Sequence, residues 1–205
     1  LKGGWDKTFA HQDSNLYPTL LDAANTGRVL YVGAGHTVTL ENLNLTGGAG
    51  DYGGAVYLGA GTNATLSNSR VYSNTATGDG GAIWAAGNVT LTASALAGNQ
   101  AQRGGGIWSE GNLLTLQQST IYANRATAAG GIRMTAGALL LDESHIFDNV
   151  ATLDVGGGIF KYLGTLTLLH SSVYGNVTPK GGGGIYSTAT DALIADSRIY
   201  SNTAA

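Results

Sequence analysis

The chain has 205 residues, of which only 11% are charged, and it carries a formal net charge of −3 and no cysteine. An average soluble domain has about 25% charged residues, so Gly, Ser, Thr and Asn must form much of this surface. The lack of any basic cluster argues against a nucleic-acid partner. No apolar run reaches membrane-spanning length, so no direct membrane insertion is expected.

Residues 1–28 carry no repeat. Trp5, Phe9, Leu16, Tyr17, Leu20 and Leu21 are apolar residues in an irregular, polar setting. The first layer of a stacked repeat exposes an apolar end and unpaired strand edges, which need covering. The segment is therefore expected to be an N-terminal cap with Trp5 and Phe9 as plugs, and Thr19-Leu20-Leu21-Asp22 as a strand within it. The chain opens on Leu1 and its single methionine is Met134, so removal of an export signal is the expected history.

From residue 29 onward the sequence repeats. Leu30-Tyr31-Val32-Gly33-Ala34-Gly35 aligns with Val56-Tyr57-Leu58-Gly59-Ala60-Gly61 at an offset of 26, with Gly48 where later units carry Asn. Each of the following units closes on an asparagine: Asn74, Asn99, Asn124, Asn149, Asn176 and Asn202, spaced 25, 25, 25, 27 and 26 apart. Five residues before each stands a serine, Ser69 through Ser197, and three, eight and ten before stand small or aliphatic residues. The last two sets are two residues apart and so share one face of a strand. A fixed period of this length marks a solenoid. Three short strands per unit, with no helical stripe and little proline, imply coils that pair only with the coils above and below.

The expected fold is therefore all-β: a right-handed single-stranded parallel β-helix of about seven coils of 25–27 residues over 29–205, roughly 34 Å long at about 4.8 Å per layer. A Gly pair before each inward aliphatic (Gly104-Gly105 before Ile107, for example) suits positive φ and close backbone approach at a corner. The six asparagines are expected to form a ladder, bonding their own coil and the next. The sequence stops at Ala205, directly after a complete repeat, so the array is expected to be a fragment of, or to continue into, a longer one, or to meet another molecule.

Gly53-Gly54-Ala55-Val56 and Gly80-Gly81-Ala82-Ile83, with Val71-Tyr72-Ser73-Asn74 and Ile146-Phe147-Asp148-Asn149, resemble the repeat of the chlamydial polymorphic outer-membrane proteins. That repeat pairs GGA-aliphatic with F-x-x-N; here an aliphatic replaces the Phe. The resemblance covers roughly 29–205 and extends to a wider group of bacterial secreted β-helix proteins. It implies a bacterial protein, extracellular or at the cell surface, with a role in adhesion.

In a stacked solenoid, function is to be sought in vertical columns. The column after the inward aliphatic reads Tyr31, Tyr57, Trp84, Trp108, Arg133, Phe160, Tyr186, and alternation turns it outward. Tyr57, Trp84, Trp108, Arg133 and Phe160 are the candidate ligand-binding residues, since exposed aromatics suit the apolar faces of sugar rings and Arg133 can stack on Trp108. The alternative is that like residues stack to stabilise the sheet. A second aromatic column, Tyr72, Tyr122, Phe147, Tyr174 and Tyr200, is interrupted by Ala97 and reads as structural. Six residues before the ladder lie Gln118, Glu143, His170 and Asp196. Glu143, His170 and Asp196 combine carboxylates with an imidazole and are weak catalytic candidates for acid–base chemistry on a polysaccharide, or simply a surface charge ladder. The Thr39, Thr65, Thr90, Thr115 column is broken at Leu140 and suits an exposed strand face. Asp51, Asp79 and Asp154 do not form the calcium-binding nonapeptide repeat, so no metal and no cofactor is expected.

The expected function is a non-enzymatic surface or secreted module that binds or presents a glycan or a host or cell-surface ligand. Two alternatives stay open: a polysaccharide-acting lyase or hydrolase, and a structural spacer or end-to-end filament subunit.

Overall fold

A computed structural model describes residues 1–205 as 28 β-strands with no helix. One coil shows the plan: strands Ile107–Ser109, Leu113–Gln117 and Thr120–Tyr122, then a short fourth strand, Arg125–Ala128. Every pairing between these strands is parallel and joins equivalent residues one coil apart. Ile107 faces Ile83 and Ile132, Leu116 faces Leu91 and Leu141, and Ile121 faces Leu96 and Ile146. The result is a parallel β-solenoid of seven coils. Two sheets have seven strands each, called here the isoleucine face (with Ile107–Ser109) and the leucine face (with Leu113–Gln117). The third, fourteen-stranded sheet contains the tyrosine face (with Thr120–Tyr122) and bends to include the short strands. Those fourth strands were not expected; the chain stays extended for two to four residues after each Asn because the next coil is there to pair with it.

Period-2 alternation explains the interior. Ile83 and Ala85 are buried while Trp84 between them is not, and Val89 and Leu91 are buried between half-buried neighbours. The inward side chains of the three faces form one core of 29 buried residues running the length of the stack. At about 1.5–3 kcal/mol per buried aliphatic, this core is the main driving force for stacking.

The corners have separate explanations. Between the leucine and tyrosine faces, every coil turns on one left-handed residue, from Asn42 at φ 58° through Glu143, His170 and Asp196 at φ 48°. Before the isoleucine face, Gly104 is left-handed (φ 64°), but Ala129 occupies the same place at φ 55°, so this position only prefers glycine. The following glycine is stricter: a Cβ at Gly105 would sit 2.5 Å from Gly130 O and 2.7 Å from Arg125 O.

The Asn column locks the turn after the tyrosine face, and the Ser column adds bonds to the corner between the leucine and tyrosine faces. Asn124 Nδ2 donates to Asn149 Oδ1 (3.0 Å) and to Leu96 O (3.1 Å). Its Oδ1 accepts from both the backbone N (3.0 Å) and Nδ2 (2.9 Å) of Asn99. The same bonds run from Asn74 to Asn202, and at the bottom Gly48 N donates to Asn74 Oδ1. The serines form a second ladder. Ser119 Oγ donates to Gln117 O (2.8 Å) and accepts from Ser94 N (3.1 Å), and Ser119 N donates to Ser144 Oγ (3.1 Å).

Within residues 1–28, the strand expected at Thr19–Asp22 runs from Thr19 to Gly27 and pairs in parallel with Leu43–Gly50, so stacking begins inside this segment. Leu1 and Gly3 hydrogen-bond the free edge of Thr37–Glu41, and Lys2 Nζ pairs with Glu41 Oε2 at 2.8 Å. Trp5 is half-buried and bridges to Gln12, whereas Phe9 is 76% exposed and plugs nothing. Phe9 stands in a left-handed turn around Asp6, whose Oδ1 accepts from Thr8 N, Thr8 Oγ1 and Ala10 N, and that turn points the ring away from the stack.

Candidate functional site

The isoleucine face carries the most varied chemistry of the three. Its outward column is held in register by strand pairing: Tyr31 with Tyr57, Tyr57 with Trp84, Trp84 with Trp108, Trp108 with Arg133, Arg133 with Phe160, and Phe160 with Tyr186. Tyr31 and Tyr57 stack with centroids 4.9 Å apart, Tyr57 and Trp84 at 4.6 Å, and Phe160 and Tyr186 at 5.3 Å, all within 12° of parallel. These separations match the layer spacing, so the rings of these three pairs lie face to face along the stack. Ring edges, more than ring faces, are turned outward.

Between Trp84 and Phe160 the stack changes from rings to guanidinium groups. The Arg103 guanidinium carbon lies 4.4 Å from the centre of the Trp108 ring, and that of Arg133 lies 5.0 Å from Trp108 and 4.1 Å from Phe160. Such contacts contribute about 0.5–2 kcal/mol each. Arg103 is fixed in turn by a bidentate pair with Asp79, at 2.7 Å for both nitrogens, and Asp79 is only 3% exposed. Lower down, Arg28 covers Tyr57 at 5.2 Å and donates to the Tyr52 and Gly53 carbonyls. Trp108 Nε1 donates to Glu110 Oε1 at 3.2 Å.

This covering corrects the expected exposure. Tyr31 is 64% exposed, but Trp108 is 4% and Phe160 8% exposed. Tyr57, Trp84, Arg133 and Tyr186 are half-buried. Alternation does turn the column outward; arginines from the neighbouring corner then fold over it. Arg103 and Arg28 were not singled out in the sequence. The available signal was an Arg directly before Gly104-Gly105, one corner away from a Trp.

Arg133 is distinct among these cations. Its Nε is buried and donates to no protein acceptor. Burial, and then the charge of Arg103, pull its pKa down, with Asp79 and Asp154 opposing. On the inward side of the same face, Lys161 is fully buried, in a column otherwise filled by residues such as Leu58, Ala85 and Met134. Its ammonium donates to the Leu163 carbonyl, with no carboxylate partner, and burial lowers its pKa to about 8. Alternation from Ile159 places Lys161 inward, so this cation was legible in the sequence and passed over.

The second candidate group lies at the corner after the leucine face. His170 Nδ1 is 3.3 Å from Asp142 Oδ1, and its Nε2 is 3.8 Å from Asp196 Oδ2. Glu143 Oε2 accepts from Gln118 Nε2 at 2.7 Å. A polar hollow of about 240 Å³ adjoins it, lined by Thr92, Gln117, Gln118, Asp142 and Glu143. Glu143, His170 and Asp196 are all exposed, and each fills the left-handed position of its corner. The arrangement brings His170 and Asp196 together and pairs Glu143 with an amide. No three or more His, Asp or Glu side chains group so as to hold a metal ion.

The seven-coil parallel stack and this sheet register define a β-helix repeat protein. The family of the right handed beta helix region matches residues 21–177, and the chain belongs to it. No curated protein and no solved structure matches the chain.

Proposed function

We propose that the chain is a non-enzymatic recognition module, displayed on or outside a bacterial cell, that binds a glycan or cell-surface ligand along its isoleucine face. One observation carries the reading: a column of aromatic and guanidinium groups, held in register over seven layers, whose residue type changes along the stack from Tyr to Trp, Arg, Phe and Tyr. A purely structural column needs only one repeated solution, as the asparagines show. The contacts offered are ring edges and guanidinium groups, so the ligand is an extended one that crosses several layers. The corner of Glu143, His170 and Asp196 supports the enzyme alternative less well. Its carboxylates and imidazole are exposed to water, where their interactions are weak, and no enclosed cleft surrounds them.

The test is a glycan array probed with the folded chain and with Tyr57→Ala/Trp84→Ala. Binding that the double variant loses, with an unchanged β-sheet circular dichroism spectrum, is the expected result. Absence of any glycan binding by the wild type would overturn the reading.

A further inference from the structure

We infer that Arg133 receives an oxyanion, so that the ligand of the isoleucine face carries a carboxylate or a sulfate ester. The inference rests on the proposal that this face binds a glycan.

Ten Lys and Arg side chains are present, and they divide by what they already hold. Lys2, Arg103 and Lys180 pair with Glu41, Asp79 and Asp154. Arg28 and Lys161 donate to backbone carbonyls. Lys7, Arg70, Arg125 and Arg198 have no partner among the side-chain hydrogen bonds and ion pairs, but they are exposed and solvated. Arg133 alone is half-buried and without an acceptor, and its Nε is shielded from solvent as well. Nε has lost hydration without gaining a hydrogen bond, and the terminal nitrogens, which have no protein acceptor, are left to receive an oxyanion from the solvent side.

The surroundings reinforce this. Trp108 at 5.0 Å and Phe160 at 4.1 Å hold the plane of the guanidinium, so little side-chain freedom is lost when its fork closes on two oxygens. Both nearby carboxylates are already engaged, Asp79 by Arg103 at 2.7 Å and Asp154 by Lys180 at 3.6 Å. Neither forms an ion pair or hydrogen bond with Arg133, on which both act only through space. Asp79 already takes Nε and Nη2 of Arg103, so the Arg103 fork is engaged while its charge adds to the attraction. Alternation directs Arg133 outward, between the buried Ile132 and Met134, so an anionic group can reach it from the solvent side.

The experiment is calorimetric titration of the whole chain with three oligosaccharides of equal length: one neutral, one bearing carboxylates, one bearing sulfate esters. The wild type should bind one or both acidic oligosaccharides roughly tenfold or more tighter than the neutral one, the scale of a hydrogen-bonded charge. The two acidic arms separate carboxylate from sulfate recognition. Arg133→Gln should lose the preference, binding acidic and neutral oligosaccharides with equal affinity. Arg133→Lys, which keeps charge and stem but not the fork, should retain only part of it and serves if the Gln variant does not fold. Equal binding of neutral and acidic ligands overturns the inference and leaves the recognition proposal standing. A preference that survives in Arg133→Gln places the anion elsewhere and also overturns it. No binding of any of the three overturns the recognition proposal itself.

Discussion

Two regions of the same coil solve opposite problems. At the asparagine corner each layer uses one residue in one geometry, with Nδ2-to-Oδ1 distances of 2.9–3.0 Å from Asn74 to Asn202. On the outward side of the isoleucine face, the residue type changes along the stack from Tyr to Trp, Arg, Phe and Tyr, and Arg28 and Arg103 reach in from a neighbouring corner. Uniformity has a physical cause: a buried amide is satisfied only if the next coil presents the same amide in the same place. Where the partner lies partly in solvent, the constraint lapses and the column is free to vary. Repetition in this fold therefore marks stability, and variation on a register held by the core marks the place to look for recognition.

Cutting the ladder in its middle tests the first half of that contrast and should have the largest effect. Asn124→Ala removes two donations and strands the backbone and side-chain donors of Asn99, all of them buried. At about 1–3 kcal/mol for each unsatisfied group, the loss should reach about 3–5 kcal/mol in urea unfolding. Asn202→Ala at the half-buried end should cost under about 1 kcal/mol. If the two variants unfold at the same midpoint, the ladder is not a cooperative column.

Lys161 puts the contrast inside the core, as the single charge in an inward column of aliphatic, Met and Ser side chains. Its folded pKa of about 8 lies below its ordinary value of 10.5. Below pH 8 both folded and unfolded chains hold the proton, and the burial penalty is present in full. Between pH 8 and 10.5 the unfolded chain binds more protons, so stability rises with pH across that window. The full rise should be about 3 kcal/mol, with about 2 kcal/mol of it between pH 7 and pH 9.5, and Lys161→Met should gain a similar amount at pH 7 and flatten the dependence. Denaturant midpoints for both proteins at pH 7 and pH 9.5 decide it. A wild type that weakens between these values contradicts the assignment.

Ser119 is a smaller version of Asn124. Ser119→Ala deletes one donation to Gln117 O and leaves Ser94 N without its acceptor. A loss of about 1–2 kcal/mol is expected, less than at Asn124 because one orphaned donor replaces two. A Ser119→Ala variant less stable than Asn124→Ala would reverse the ranking of the two ladders.

Most of the core was legible because its causes are local and repeated. Leu116, Ile121 and Ile107 recur at fixed offsets, and alternation alone assigns them inward. The Asn ladder followed from the same register. Other features depend on side chains that cross between coils. The Arg before Gly104-Gly105 is only a faint sign that Arg103 reaches past its own corner to Asp79 and Trp108, so the burial of Trp108 was hard to read. The serines were visible as a column, yet their role needed the corner geometry that aims each Oγ at the coil below. Phe9 misled for a related reason: an aromatic in a capping segment need not face the core when a local Asp6 turn directs the chain.

The smallest expected effect bears on the corner of Glu143 and His170. Both are non-glycine residues at φ 48°, the left-handed region that costs an L-residue roughly 1–2 kcal/mol. Glycine relieves that strain but adds freedom to the unfolded chain, about 0.5–1 kcal/mol in the opposite direction. Glu143→Gly also removes the exposed hydrogen bond from Gln118, which contributes little at a solvated site. The net change should be a gain of under about 1 kcal/mol, read as a small rise in the urea midpoint. Glycan binding along the isoleucine face should be unchanged, because the core separates that face from this corner. A variant that keeps its stability but loses a polysaccharide-cleaving activity present in the wild type would instead assign the carboxylate a chemical role, and the varied column on the isoleucine face would cease to be the leading site.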